Sequence, residues 1–398
     1  ELNYDGGLLV PGTFGPTTPA DSIPATGAGT RLMWYPAKAA FRAGRVFDNT
    51  VAGIGTDGRT FWDPANVGNY SVAFGNNTRA SGDVSFAAGI NTIASGTNAT
   101  AFGAGTEASS SAATAMGNET TASAANATAM GRQTTASGTE ATAMGTSTTA
   151  SGDASVATGS ITTASGDNAT SMGFATIASG ADATAMGSET NATGFIATAM
   201  GFDTEASSDF ATAMGKETTA SGEAATAMGN KTEASGVDAT AMGNETTANG
   251  DRATAMGFQT TASAVDATAM GNETEASGFA ATAIGNNTVA AGGTSLSIGQ
   301  WNSANRAQLS QVILVAGNGS IGSRSDALVL DSNGNLEISG TLTESSDQRL
   351  KTSIRPIEGE TMAKLSRLRP VRYQFKNQET HPSGEQIGLV AQDVREEF

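Results

Sequence analysis

The chain has 398 residues, of which 38% are hydrophobic, 15% are charged and 50 are glycine, too little aliphatic bulk for one large core. Such a chain is either disordered or repeats one small unit many times. Its net charge is −17, and residues 75–299 hold 20 acidic against 5 basic groups, so the middle repels polyanions and no nucleic-acid partner is expected.

The absence of cysteine removes disulfide frameworks and Cys-type zinc sites. No apolar run reaches the roughly 18 residues of a membrane span. The chain begins at Glu1 with no signal peptide and reads as a mature or trimmed product. The acids follow no calcium-ligand spacing, so neither metal nor cofactor is expected. Triplets such as Asn98-Ala-Thr100 and Asn244-Glu-Thr246 are generated by the repeat and imply no glycosylation.

Residues 1–69 form the first expected unit. Trp34-Tyr35-Pro36 and Phe61-Trp62 concentrate aromatic side chains before the repeats begin. A solenoid end exposes unpaired backbone and needs a cover, so these aromatics are expected to build an N-terminal cap. A ligand-binding tip made of the same residues is the alternative.

The second unit, 70–299, carries a fourteen-residue period. From Gly75 to Gly299 every fourteenth residue is Gly, at seventeen positions. The residue before it is Met at Met116, Met130, Met144, Met172, Met186, Met200, Met214, Met228, Met242, Met256 and Met270, and Phe or Ile at Phe74, Phe102, Ile284 and Ile298. Ala recurs two before and five after the Gly, and Thr three before (Thr114) and three after (Thr120). Fourteen residues suit two short strands and two tight turns, with Gly supplying positive φ. Alternation in Ala-Thr-Ala-Met sets Thr and Met on one face and Ala on the other, so the Ala columns are expected to line a narrow, all-Ala lumen. The fold class is then all-β, a parallel β-roll solenoid. Its rungs at roughly 4.8 Å give a shaft of about 77 Å. The Met column points outward and needs covering, which a homotrimer with Met at the protomer contacts provides. A monomer with Met in the lumen is the alternative.

This unit resembles the head repeat of trimeric autotransporter adhesins, most closely at Tyr70-Ser-Val-Ala-Phe-Gly75 and Thr294-Ser-Leu-Ser-Ile-Gly299. The resemblance implies a left-handed parallel β-roll packed as a trimer that binds host or matrix surfaces. Thr-Ala-Met stands where that family favours Val-Ala-Ile, and no counterpart of its C-terminal membrane barrel is expected. The expected setting is extracellular, on a cell surface or a virion, with a receptor or glycan of unknown identity as partner.

Residues 300–343 read as a β-rich neck. Gln311–Ala316 and Ala327–Asp331 are expected strands, and Ser332-Asn-Gly-Asn335 a turn before Leu336–Ile338.

Residues 344–398 hold 9 of the 21 basic residues, with a helix expected over 361–369 and a strand at Val371–Phe375. Ser346-Asp-Gln-Arg-Leu-Lys351, Leu368-Arg-Pro-Val-Arg-Tyr and Ile387-Gly-Leu-Val-Ala-Gln-Asp-Val394 are similar to the intramolecular chaperone that ends phage tail fibres and tailspikes, the S74 peptidase family. The resemblance implies a small α+β domain that assists trimer folding and then cuts itself off. The cut would fall between Ser346 and Asp347, with Ser346 as nucleophile and Lys351 as base. The family continues into long helices where this chain stops at Phe398, so a truncated chaperone is expected to trimerise and cut poorly.

Two other functions fit less of the pattern. A tailspike hydrolase needs two carboxylates in a cleft, and the repeat acids are scattered over turns. An ice-binding solenoid needs Thr pairs on one strand, and the Thr columns fall on different strands.

Overall fold

The computed structural model describes Phe14, Ile23 and residues 25–47, 60–304, 311–340, 359–374, 385–390 and 393–394. From Val72 onward each fourteen residues make one rung, with a five-residue strand and a shorter one. Thr114–Asn118 and Thr121–Ala122 are typical, and in two rungs the pair runs on as Thr198–Ala206 and Thr212–Ala220. Successive rungs pair in parallel and in one register, so Ala129 sits beside Ala115, Met130 beside Met116 and Gly131 beside Gly117.

Two left-handed corners close each rung. One lies two residues after the Gly (Glu119, φ 54°) and the other five before the next Gly (Asn126, φ 58°). Even the corner amides join the ladder: Glu119 N–H donates to the Ala104 carbonyl and Asn126 N–H to that of Ser111, at 2.8 and 2.9 Å. Every rung therefore satisfies its turns on its neighbour, which is how so polar a chain closes without a large core.

The Gly column has a double reason. Gly117 has φ +128°, and a Cβ there would lie 1.9 Å from the carbonyl oxygen of Gly131. Both the backbone conformation and the close approach of the next rung exclude a side chain.

The lumen is narrow and lined mainly by alanine. Ala113, Ala115 and Ala122 are fully buried, and so are their counterparts along the shaft. It is not the all-Ala interior that alternation suggests: Thr120 and its equivalents from Thr78 to Thr288 are also buried inside. Chain direction changes at the left-handed corner just before Thr120, which resets the alternation and turns that side chain inward.

Both ends of the stack are closed. At the N-terminus Gly29–Tyr35 and Ala40–Val46 form an antiparallel hairpin whose second strand pairs in parallel with Val72–Asn76, setting Gly44 beside Gly75. Phe61 and Trp62 are fully buried here with Met33, Tyr35, Val46, Val67 and Ile93, while Trp34 is half-buried. The indole of Trp62 donates to the Thr78 carbonyl at 2.8 Å. Phe61 and Trp62 are thus packed into this end of the stack.

At the other end Val312–Asn318 adds a further parallel rung, with Gly317 beside Gly299. Asp326–Asp331 and Leu336–Ile338 then follow as antiparallel strands. Buried Asn302 completes the short-strand side by exchanging two hydrogen bonds of 2.7 and 2.8 Å with the Val289 backbone. Beyond the neck a helix spans Glu360–Arg367, two residues shorter at its end than the sequence pattern suggests, because Leu368 turns extended ahead of Arg369-Pro370. Val371–Tyr373 pairs antiparallel with Gln386–Gly388.

Candidate functional site

The outer face of the long strands carries the candidate interaction surface. Strand alternation turns the Ala of Ala-Thr-Ala-Met inward, so Thr and Met project out. Register then stacks Met116, Met130 and Met144 directly, and Met172, Met186, Met200, Met214, Met228, Met242, Met256 and Met270 continue the line, with Thr158 as the one polar member. Neighbouring rungs half-bury these side chains, and Met172 is 37% exposed. Phe74, Phe102, Ile284 and Ile298 extend the stripe at both ends and are each more than a third exposed. Nothing within the described chain covers it.

The corners carry the charge. Asp153 accepts from the amide of Thr139, one rung back, at 2.8 Å; Asp167, Asp209 and Asp251 do the same for Asp153, Phe195 and Val237. These carboxylates act as ladder caps, each lying one rung further along than the amide it accepts from. Arg252 makes a bidentate pair with Asp266 at 2.7 and 2.9 Å, and that hydrogen bond holds the Asp266 carboxyl below its ordinary range. The Lys216 ammonium, hydrogen-bonded at 2.9 Å, likewise lowers Glu217. These six carboxylates are thus engaged in stacking and surface pairs.

Ser346, Asp347 and Lys351 lie outside the described residues. The described part of their segment is the short helix and the small hairpin, where Arg372 pairs with Glu385 at 2.7 Å.

A second exposed feature escaped the sequence pattern because it sits at variable positions of the repeat. Phe195, Ile196 and Phe210 cluster at one corner in mid-shaft, 41%, 44% and 48% exposed, with the two rings 5.6 Å apart and edge-to-face. The signal was present as two consecutive large apolar residues in Thr-Gly-Phe-Ile-Ala, where other rungs mostly carry Asn, Asp or Ala.

The comparisons with known proteins agree with this architecture. The family model described as the YadA head domain repeat, two copies per match, fits residues 67–92, 80–106, 108–134, 136–160, 164–190, 192–218, 220–246 and 248–274. The model described as the chaperone of endosialidase, of the S74 peptidase group, fits residues 346–398. No curated protein matches the chain.

Proposed function

Because the chain belongs to the family of YadA head domain repeats, we propose that this fibre-type protein is a secreted homotrimeric surface adhesin whose C-terminal segment assists assembly and then releases itself. The observation that carries the reading is the outward Met column: an apolar stripe running the length of the shaft, uncovered by the described residues. Stripes of that extent are left in water only where another surface meets them. Threefold packing of the long-strand faces buries all of it with identical partners, and one register repeated without a break lets the three shafts stay aligned.

The chaperone match supports the second half. A parallel solenoid is built from contacts between neighbouring rungs, so folding can begin at any of them and three chains can pair out of register. A dedicated C-terminal trimerising segment fixes that register before the shaft closes. Ser346 is then the nucleophile, Lys351 the base, and the bond before Asp347 the one cut. Residues 1–69 are then the aromatic cap, the roll at 70–299 is the shaft, 300–343 the neck and 344–398 the chaperone.

Changing Met186, Met200 and Met214 together to Asp tests the trimer. Three carboxylates per chain, desolvated against their copies, cost several kcal/mol each if unpaired. Sedimentation should show monomers or aggregates where the parent chain shows a trimer. A variant that stays trimeric at an unchanged melting temperature would falsify the assignment of the Met face.

A further inference from the structure

We propose that the corner formed by Phe195, Ile196 and Phe210 is a docking point for a cationic, aromatic-bearing segment of a partner protein. The proposal rests on the adhesive reading of the shaft and names the class of partner that one of its surfaces would take.

Three observations converge. The first is that the cluster is apolar, contiguous and open, with its two rings in contact and all three side chains more than 40% exposed. The second is conformational. Ile196 and Phe210 occupy left-handed corners, φ 54° and 60°, where Asn and Asp are at ease and a β-branched residue is strained. Other rungs place Asn126, Asn168 and Asp238 at this position, and Val84 and Thr294 are its other β-branched occupants. Strain of this kind persists where the side chain serves something other than the local turn.

The third observation says what the partner offers. Along this corner Asp167 and Asp182 lie on one side of the cluster, and Asp209, Glu223 and Asp238 on the other, with no cation until Arg252. Lys216 and Lys231 belong to the opposite corner and are engaged by Glu217. An apolar spot framed by one sign of charge selects a ligand that is both apolar and positive. The chain itself supplies an instance of the apolar half. Tyr70 holds the same place in its rung as Phe210, also left-handed at φ 58°, and Phe14 stacks on its ring at 5.0 Å and 20°. An aromatic side chain lying on that corner is therefore already a contact this backbone accommodates.

The test is binding of two peptides of equal charge to the full chain, one alternating Phe with Lys and one alternating Ser with Lys. At moderate salt, where long-range attraction is screened, the Phe peptide should bind at least about tenfold tighter. The variant Phe195→Ser, Ile196→Asn, Phe210→Asn should bind both equally, at the level of the Ser peptide. Its melting temperature should hold or rise, since Asn relieves the two left-handed positions. Equal affinity of the parent chain for both peptides overturns the proposal, and so does undiminished binding by the variant. A changed oligomeric mass in the variant reassigns the cluster to a protomer contact. Preferential loss of binding to a neutral oligosaccharide reassigns it to a glycan. Neither result bears on the Met column, whose own test is the mass of the Met186, Met200, Met214 variant.

Discussion

Arg42 reaches into the end of the lumen and donates to Ser71 twice, to its carbonyl at 2.9 Å and its hydroxyl at 2.8 Å, with both residues fully buried. It also donates to the carbonyls of Phe41 and Ala80, both at 2.8 Å, and among the described residues no carboxylate is a hydrogen-bond partner. The Ser71 and Ala80 carbonyls each accept a backbone N–H as well, from Phe41 and Gly68. The cation thus needs its acceptors more than they need it, and burial pushes its pKa down to about 10. Arg42→Met should be neutral or stabilising, because a well-packed apolar side chain replaces an uncompensated buried charge. Ser71→Ala should cost about 1–3 kcal/mol by leaving the guanidinium short of an acceptor. The pH response has a definite sign. A depressed cation binds fewer protons folded than unfolded above pH 10, so the parent chain gains stability as pH rises from there toward the ordinary arginine value. The Met variant lacks that gain. Melting curves of the two chains between pH 9 and about 11 decide the matter; parallel curves would remove the burial argument.

The two glycine columns should respond differently to alanine. Gly187 has φ +127°, and a Cβ would meet the Gly201 carbonyl oxygen at 2.0 Å. A Cβ at Gly180 would be as crowded, 1.8 Å from the Gly194 carbonyl oxygen, but its φ is not positive, and Ala124 and Ala264 occupy the same place in their own rungs. A methyl is thus accepted at that place in two rungs. Gly187→Ala should cost more than about 3 kcal/mol through strain and ladder breakage together, and Gly180→Ala no more than about 1. Denaturant unfolding of the two variants measures the contrast, and equal losses would show that crowding alone fixes the first column.

How much of this was legible beforehand differs by feature. The period and the single register were written in the Gly and Ala columns, since a shared spacing forces equal residues to stack. The outward Met followed from alternation within one strand. The inward Thr did not, because the corner at Glu119 breaks the alternation and no pattern of residue types marks the reset. The first rung, Phe41–Arg45, also escaped: Gly44 and Gly75 pair in space although their separation is not a multiple of fourteen. Side chains that imitate backbone, as Asn302 does for Val289, leave no periodic trace. The proposed dyad of Ser346 and Lys351 rests only on likeness to a family, and both residues lie outside the described ones.

The buried Thr column offers a gain in stability. Thr190, Thr204 and Thr218 each bury a hydroxyl that has no hydrogen-bond partner among the described residues. Valine keeps the β-branched shape and removes the unsatisfied group, so each Thr→Val change should add about 1 kcal/mol. Thr176 is the internal control, because Ser171 replaces the facing Ala and its hydroxyl lies 2.7 Å from the Thr176 hydroxyl. Thr176→Val removes a made bond and should be destabilising. Thermal melts of the triple variant and of Thr176→Val should move in opposite directions; a fall in both would mean that the hydroxyl column contributes favourably.

The last expectation is self-cleavage between Ser346 and Asp347, where the family match begins. Expressed from its native gene, the chain should yield a fibre ending at Ser346. A serine hydroxyl is a weak nucleophile at neutral pH and needs a base beside it, a role that Lys351 fills if burial lowers its pKa. Attack by Ser346 on its own carbonyl would close a strained β-lactone. The geometry of the bond therefore calls for the Ser346 hydroxyl of a neighbouring protomer. That hydroxyl adds to the carbonyl as Lys351 takes its proton, the proton passes to the departing Asp347 amine, and water then hydrolyses the ester. Holding the hydroxyl and carbonyl together in one assembly replaces a bimolecular encounter, so cutting waits for the trimer. Ser346→Ala and Lys351→Ala homotrimers should each stay intact. In mixed trimers with the parent chain, a tagged Ser346→Ala chain should still be cut after residue 346, because its neighbour supplies the hydroxyl. Intact mass spectrometry reads the outcome. A cut at another bond, or full cutting by Lys351→Ala, removes the dyad; a tagged chain left whole beside cut parent chains removes attack between protomers and leaves the dyad standing.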